Sequence, residues 1–295
     1  MRIIFSFTVL FITITCSYGQ TINSTIINLT NQWNNYISNH DTAKLSALYA
    51  DTISYYGKAN NKANVLLGKA AFFQKHTDFN QSINGKIEVT KITANQYKAS
   101  FPKQSSFDGK TTEVKGYLIF SKKNASWKIS VENDKTTYKN LTKNTIGTSI
   151  AGDFDGDGTI EKTTLQMYSK GKDEDEIDYF TINFSSAKIK PLKVSCDRDY
   201  LTLINEGDLN NIPGDEITVY SPPFGGCTFN MTTYTYVNEK WKPIMEPILV
   251  STACDEMSDA DLQKRIFKEG HTVYYLDQDL NDENWKLIKK KAKMK

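Results

Sequence analysis

The chain has 295 residues, a formal net charge of +2, 39% hydrophobic residues and 12% aromatics. That length accommodates two ordinary domains, each able to bury its own core, and the composition is that of a folded chain rather than a disordered one. A near-neutral balance supplies no whole-molecule field for nucleic acid, which is not expected as a partner.

In chain order, the first stretch is "MRIIFSFTVLFITITCSYGQ": a basic Arg2, an apolar run from Ile3 to Ile14, then small residues. This is the layout of a secretory signal peptide over residues 1–19, with cleavage after Gly19. The apolar run is shorter than the about 20 residues that a membrane span needs, and no later segment qualifies, so no transmembrane segment is expected. A competing reading makes Cys16 a lipidated N-terminus, but the preceding "TIT" is a poor lipoprotein box. The protein is therefore expected to be exported, periplasmic or secreted. Export leaves Cys196, Cys227 and Cys254, and an oxidising compartment permits one disulfide among them. Cys227 with Cys254 is the expected pair, since both lie in strand-like sequence, although the sequence alone does not fix the pairing.

Residues 22–38 place Ile26, Leu29, Trp33 and Ile37 at helical spacing. "HDTAKLSALYA" predicts a second helix with Asp41 as N-cap and Leu45, Leu48 and Tyr49 buried. "TISYYG" reads as a strand, and "NKANVLLGKAAFFQKHTDF" as a third helix burying Val65, Leu66, Ala70 and Phe73. Four strand-like segments follow between residues 85 and 133, separated by turn residues such as Asp108-Gly109. Helices first and antiparallel strands after is an α+β plan with helices packed on one curved sheet. The element order, with the run from Trp33 to Gly57, resembles the nuclear transport factor 2-like (NTF2-like, SnoaL-like) superfamily over about residues 22–135. The resemblance implies a cone with a pocket at its open end. Members range from isomerases and dehydratases to binding or dimerisation modules, so a homodimer through this domain is one implied possibility. Tyr55, Tyr56, His76, Glu132 and Asp134 are candidates to line such a pocket, where a His with a carboxylate would serve proton transfer. A lone His at a helix end is equally a capping or surface group.

Residues 136–145 read as a polar linker. From 146 to 295 the apolar period changes to two, and β-branched and aromatic segments predict a mainly β domain. A single short helix is predicted in "SDADLQKRIFKEG", with Ser258 as N-cap and Gly270 as C-terminal stop. The acidic run 172–178 reads as a solvated hairpin tip, "DQDLNDE" at 277–283 as a turn, and the lysine-rich tail as frayed.

The chemistry-bearing motif is "AGDFDGDGTIE", residues 151–161. Asp153, Asp155 and Asp157 occupy positions one, three and five, Gly158 permits the turn, Thr159 offers its carbonyl, and Glu161 stands at nine. Hard oxygen donors converging on one point suit Ca2+ in a structural role; the alternative is a turn merely rich in Asp and Gly. Position twelve is Thr164 and the flanks are strand-like, so the loop is not an EF-hand. It resembles the DxDxDGxxD calcium loops of FG-GAP (integrin-type) repeats, with Glu161 in place of the last Asp. About 55 residues later Asp208, Asn210 and Asp215 echo it with fewer carboxylates and a proline, which suggests an internal repeat of poor metal affinity.

The sequence thus reads as an exported, calcium-stabilised binding protein of the bacterial envelope or exterior, more in keeping with a non-catalytic role. The bacterial assignment rests on the leader's "SYGQ" end, which resembles those of Bacteroidetes. The alternatives are a small-molecule enzyme of isomerase or dehydratase type in the cone, or an adhesion or glycan-binding module. No GxSxG, HExxH or phosphate loop is present, and no motif names a ligand or protein partner.

Overall fold

Local sequence signals account for the first elements. The computed structural model describes residues 13–169, 178–196, 200–223, 225–252, 254–255, 257–279, 282 and 286–295. Most of the expected leader, the acidic run over 172–177 and Asn281 lie outside the described residues. The chain divides into two compact units, Met1–Thr136 and Thr137–Lys295. No helix among the described residues is long and apolar enough to cross a membrane.

The first unit begins with α1 (Thr13–Ser38), whose Ile26, Trp33 and Ile37 stripe is buried as its spacing dictates. Asp41 caps α2 (Thr42–Leu48) by accepting the Lys44 N–H at 3.0 Å, and Leu45 and Leu48 face the core. Next come β1 (Tyr49–Tyr55), β2 (Lys58–Asn61) and α3 (Lys62–Lys75), capped by Asn61. The remaining strands are β3 (Asn80–Ile83), β4 (Glu88–Thr93), β5 (Gln96–Phe107), β6 (Lys110–Lys123) and β7 (Ser126–Asp134). They form one sheet in the order β2-β1-β7-β6-β5-β3, with β4 also on β5 and β1 parallel to β7. Register shifts in the β1–β7 and β6–β7 pairs bend it. Alternate residues of β5, Tyr97, Ala99 and Phe101, point at the helices, and Phe101 meets Trp33 with ring centroids 5.7 Å apart. Burying an aromatic or aliphatic side chain of this size contributes about 1.5–3 kcal/mol.

The segment expected as a linker contains a helix, α4 (Lys135–Leu141). Its polar composition conceals Tyr138, which is anchored by its hydroxyl to Asp215 at 2.6 Å.

The second unit is three stacked β layers. In chain order its elements are β8 (Ile146–Gly147), β9 (Ala151–Gly152), β10 (Glu161–Ser169), β11 (Asp178–Phe184) and β12 (Leu192–Cys196). There follow β13 (Thr202–Gly207), β14 (Glu216–Ser221), β15 (Thr228–Val237), β16 (Lys240–Pro243) and β17 (Ile248–Ser251). The last are α5 (Asp259–Leu262), β18 (Ile266–Glu269), β19 (Thr272–Gln278) and β20 (Leu287–Lys291). The central sheet runs β16-β15-β14-β13-β8, with β17 also on β15. One face, with Leu203, Ile217, Val219 and Tyr236, packs on Phe180, Ile182, Leu192 and Val194 of the β12-β11-β10-β9 sheet. The other, with Ile204, Tyr220, Met231 and Ile248, packs on Leu262, Ile266, Val273 and Ala292 of α5 and the β18-β19-β20 sheet. Sandwiched on both faces, β14 is buried along almost its whole length.

Cys227 and Cys254 pair at disulfide distance, with Cα atoms 4.7 Å apart, beside the β15–β17 ladder. Cys196 is buried, its thiol donating to the Tyr200 carbonyl. The helix expected over 258–270 stops at Leu262: Ser258 caps it as its sequence dictates, but Ile266–Glu269 turn extended as β18. Gly270, at φ 60°, makes the turn from β18 to β19 rather than a helix stop. The tail is not frayed, because β20 pairs with β19 and Met294 bridges to Met245.

Candidate metal centre

β9 and β10 pair with Gly152 opposite Glu161, so everything between them is one tight loop. The acids first build that loop. Asp153 accepts the Gly158 N–H at 3.0 Å, Asp155 the Asp157 N–H at 3.1 Å, Asp157 the Thr159 N–H at 2.8 Å, and Glu161 Oε2 the Phe154 N–H at 3.1 Å. Phe154 is fully buried beneath and pins the loop to the core. Gly158 turns at φ 86°, and Gly156 at φ 71° presses against Pro213, where any side chain would collide at 2.5 Å.

What remains after this bonding is the centre. Asp153, Asp155 and Glu161 each present one carboxylate oxygen, and these lie within 4.8 Å of one another. Asp153 Oδ1 and Glu161 Oε1 are buried with no hydrogen-bond partner. Oxygens within 4.8 Å of one another share a point about 2.8 Å or less from each, close to the roughly 2.3–2.6 Å of Ca–O bonds. Asp157 is turned away, its Oδ2 held by Lys188 at 2.8 Å, and Thr159 meets the acids through its N–H.

The electrostatics follow from burial among like charges. Asp153 is driven well above the carboxylate range by desolvation, with Asp215, Glu161 and Asp157 adding to it. Glu161 is pushed up to about 8 by burial and by Asp155, against the Phe154 N–H. Asp155 is raised by burial and by Asp157. Burial acts on Asp157 too, but hydrogen bonds from Lys188 and Thr159 outweigh it and leave that acid lowered. Two carboxylates 4.8 Å apart repel by roughly 3 kcal/mol at an effective dielectric of 20. Uncompensated, the three cannot all stay ionised.

The echo at 206–216 braces the first loop. Asp215 donates its N–H to the Asp153 carbonyl at 2.7 Å, and its carboxylate accepts the Asp153 N–H at 3.1 Å and Asn205 Nδ2 at 3.1 Å. Asp215, read from spacing as part of an echo of poor metal affinity, holds up the first loop. The true counterpart of Glu161 is Glu216, which stands opposite Gly207 as Glu161 stands opposite Gly152. Its position nine residues into the loop was the available signal.

In the first unit, Tyr55, Tyr56, Glu132 and Asp134 lie together where β1 pairs with β7, and His76 stands apart from them. Tyr55 and Tyr56 stack edge to face at 4.7 Å, and Tyr56 accepts a hydrogen bond from the buried Lys103 at 3.2 Å. Asp134 is buried at the end of β7. His76 caps α3 among Phe72 and Phe107, with Nδ1 2.9 Å from Asp108. Its carboxylate neighbour is thus Asp108, a half-exposed turn residue. Glu132 is the centre of the buried polar cluster: it takes Lys69 at 2.8 Å, Trp33 Nε1 at 3.2 Å and the Tyr49 hydroxyl, and Lys69 lies over the Tyr55 ring. Burial alone would depress the Lys69 ammonium, but Glu132 outweighs it and holds it charged. A cleft of about 560 Å³ is lined by Asn84, Lys86, Phe101, Lys103, Gln104 and Lys115, among others, and by none of Lys69, Glu132 or His76.

No protein-family model and no curated protein matches the sequence. Similarity to solved structures covers roughly 40% of the chain, the N-terminal part, and is to NTF2-like and cystatin-like folds. A nuclear transport factor 2 (NTF2-like) superfamily protein from Salmonella enterica is 13% identical, with a TM-score of 0.35 over 40% of this chain and 92% of its own. An NTF2-like protein of unknown function from Pseudomonas putida KT2440 is 13% identical, with a TM-score of 0.35 over 39% of this chain and 86% of its own. Bd1075 of Bdellovibrio bacteriovorus is 14% identical with a TM-score of 0.36, and this chain spans 41% of that protein's length.

Proposed function

We propose that the chain is an exported, non-catalytic binding protein whose β-rich unit is stabilised by one calcium ion held by Asp153, Asp155 and Glu161. Two observations carry this reading: one carboxylate oxygen each of Asp153, Asp155 and Glu161 converge, and Asp153 and Glu161 each keep a buried oxygen without a hydrogen-bond partner. The donors are hard oxygens without His or Cys, the set that suits Ca2+ rather than Zn2+. The ion would supply positive charge to a loop that has none of its own at that point. Export is supported by the leader pattern and by the Cys227–Cys254 pair, which fits an oxidising compartment. The non-catalytic role is supported by the first unit, where Lys69 and Glu132 are spent on one another and His76 sits by an exposed turn.

The test is thermal unfolding in excess calcium and in EDTA, for wild type and Asp155→Ala. An ion at 100 times its Kd stabilises the native state by about 2.7 kcal/mol. For a unit of this size that raises the melting temperature of wild type by roughly 5–10 °C, with no rise in the variant. Equal melting of both proteins in both buffers overturns the reading.

A further inference from the structure

We infer that residues 206–216 are a copy of the metal loop in which two of the chain's own nitrogens stand where an ion would, so that the side chain at the third loop position decides which loop takes a divalent cation. This rests on the calcium reading of residues 153–161 and specifies what makes that loop, and not its copy, need an ion.

The two loops share a frame. Each joins antiparallel strands at one register, Gly152 opposite Glu161 and Gly207 opposite Glu216. In each, the closing glutamate accepts the N–H of the apolar residue after the first aspartate, Phe154 to Glu161 at 3.1 Å and Leu209 to Glu216 at 2.6 Å. In each, the third-position side chain accepts the N–H two residues on, from Asp157 to Asp155 at 3.1 Å and from Ile212 to Asn210 at 2.6 Å. Both closing glutamates are buried, at 1% and 0% exposure.

They part at the glutamate's second oxygen. In the copy, Asn210 Nδ2 donates to Glu216 Oε1 at 2.7 Å. Lys268 Nζ donates to the Asp208 carbonyl at 2.9 Å and lies 3.5 Å from its carboxylate. Every position equivalent to a metal ligand therefore has a donor from the chain. In the first loop the third position is Asp155, which brings a charge and no donor, and Glu161 Oε1 is left without a partner. The nearby ammonium, Lys188, is on Asp157. A Glu–Asn pair closes on itself, whereas a Glu–Asp pair needs a cation between its members.

The experiment compares melting in EDTA and in calcium for wild type, Asp155→Asn and Asp155→Ala, and counts calcium by titration calorimetry on wild type and on Asn210→Asp/Lys268→Gln. In EDTA, Asp155→Asn is expected to melt above both wild type and Asp155→Ala by about 3 °C or more and to ignore calcium, since its new amide reaches Glu161. The double variant is expected to take two ions where wild type takes one. Asp155→Asn melting at or below Asp155→Ala in EDTA overturns the inference, as does an unchanged ion count in a folded double variant. If wild type neither binds calcium nor responds to it, the calcium reading falls, while the EDTA comparison of the Asn and Ala variants still decides the role of the amide.

Discussion

Glu132 in the first unit and Glu161 in the second bear the same desolvation, at 2% and 1% exposure, and are answered in different ways. Glu132 is met from within by an ammonium, a phenol and an indole, on Lys69, Tyr49 and Trp33. Glu161 has one backbone N–H and otherwise carboxylate neighbours. A buried acid is therefore no sign of a site in itself; what sets Glu161 apart is the convergence of Asp153 and Asp155 on it. Two more glutamates complete the series. Glu216 is answered by the amide of Asn210. Glu206, whose Oε1 is buried without a partner, is pushed up to about 8 by burial, with the charge of Glu216 adding and a hydrogen bond from Thr218 opposing.

The comparison breaks first, and with the largest effect, at Lys69. Lys69→Met leaves Glu132 buried with an uncompensated charge and is expected to cost about 3–5 kcal/mol in denaturant unfolding. Lys69→Met/Glu132→Gln should regain most of that loss. A single variant within about 1 kcal/mol of wild type would show that Glu132 is not held by its ion pair.

A smaller effect tests Glu206 in saturating calcium, where the metal loop no longer titrates. Its folded value of about 8 lies above the ordinary 4.5, so between these values the native state holds a proton that the unfolded chain has lost. The stabilisation is present in full below pH 4.5 and fades as pH rises through about 8. Wild type should lose up to about 3 kcal/mol between pH 5 and 8.5, and Glu206→Gln should decline less steeply; parallel curves would remove Glu206 from the series.

The smallest effect is at Lys188, whose ammonium stands on Asp157 beside the proposed ion. Lys188→Met is expected to tighten calcium by about two- to five-fold at low ionic strength, less in salt, because a largely exposed charge is screened. Weaker binding in titration calorimetry would mean that Lys188 supports the loop more than it competes with the ion.

Much of this arrangement is legible in the sequence, because it is local. The Asp41 and Ser258 caps and the Trp33 stripe lie within one turn or one face, and the structure places them so; of the alternating aspartates, Asp153 and Asp155 converge with Glu161 while Asp157 turns to Lys188. Lys69 was open to the same reasoning: it falls between Val65 and Phe73 on the buried face of α3, and its charge masked its place in the period. Its partner was not legible, since Glu132 lies 63 residues away on another strand. Asp215 was misplaced for a related reason. Spacing set it in the echo as the counterpart of the closing acid, and the register of β13 against β14 puts Glu216 in that position instead. The stretch after Leu262 has a period short enough to fit helix or strand, and pairing with β19 decides for strand.

The mutual bonds of Asp153 and Asp215, 62 residues apart, set the order in which the second unit can assemble. The first loop is not a self-sufficient peptide motif; it takes its shape only when the β13–β14 hairpin has closed against β9 and β10, a long-range step. An ion bound there is expected to join after that step, so that its energy falls on the rate of unfolding rather than the rate of folding. If calcium is held there as proposed, it is expected to act as a kinetic lock, slowing unfolding in calcium relative to EDTA while leaving the folding rate unchanged.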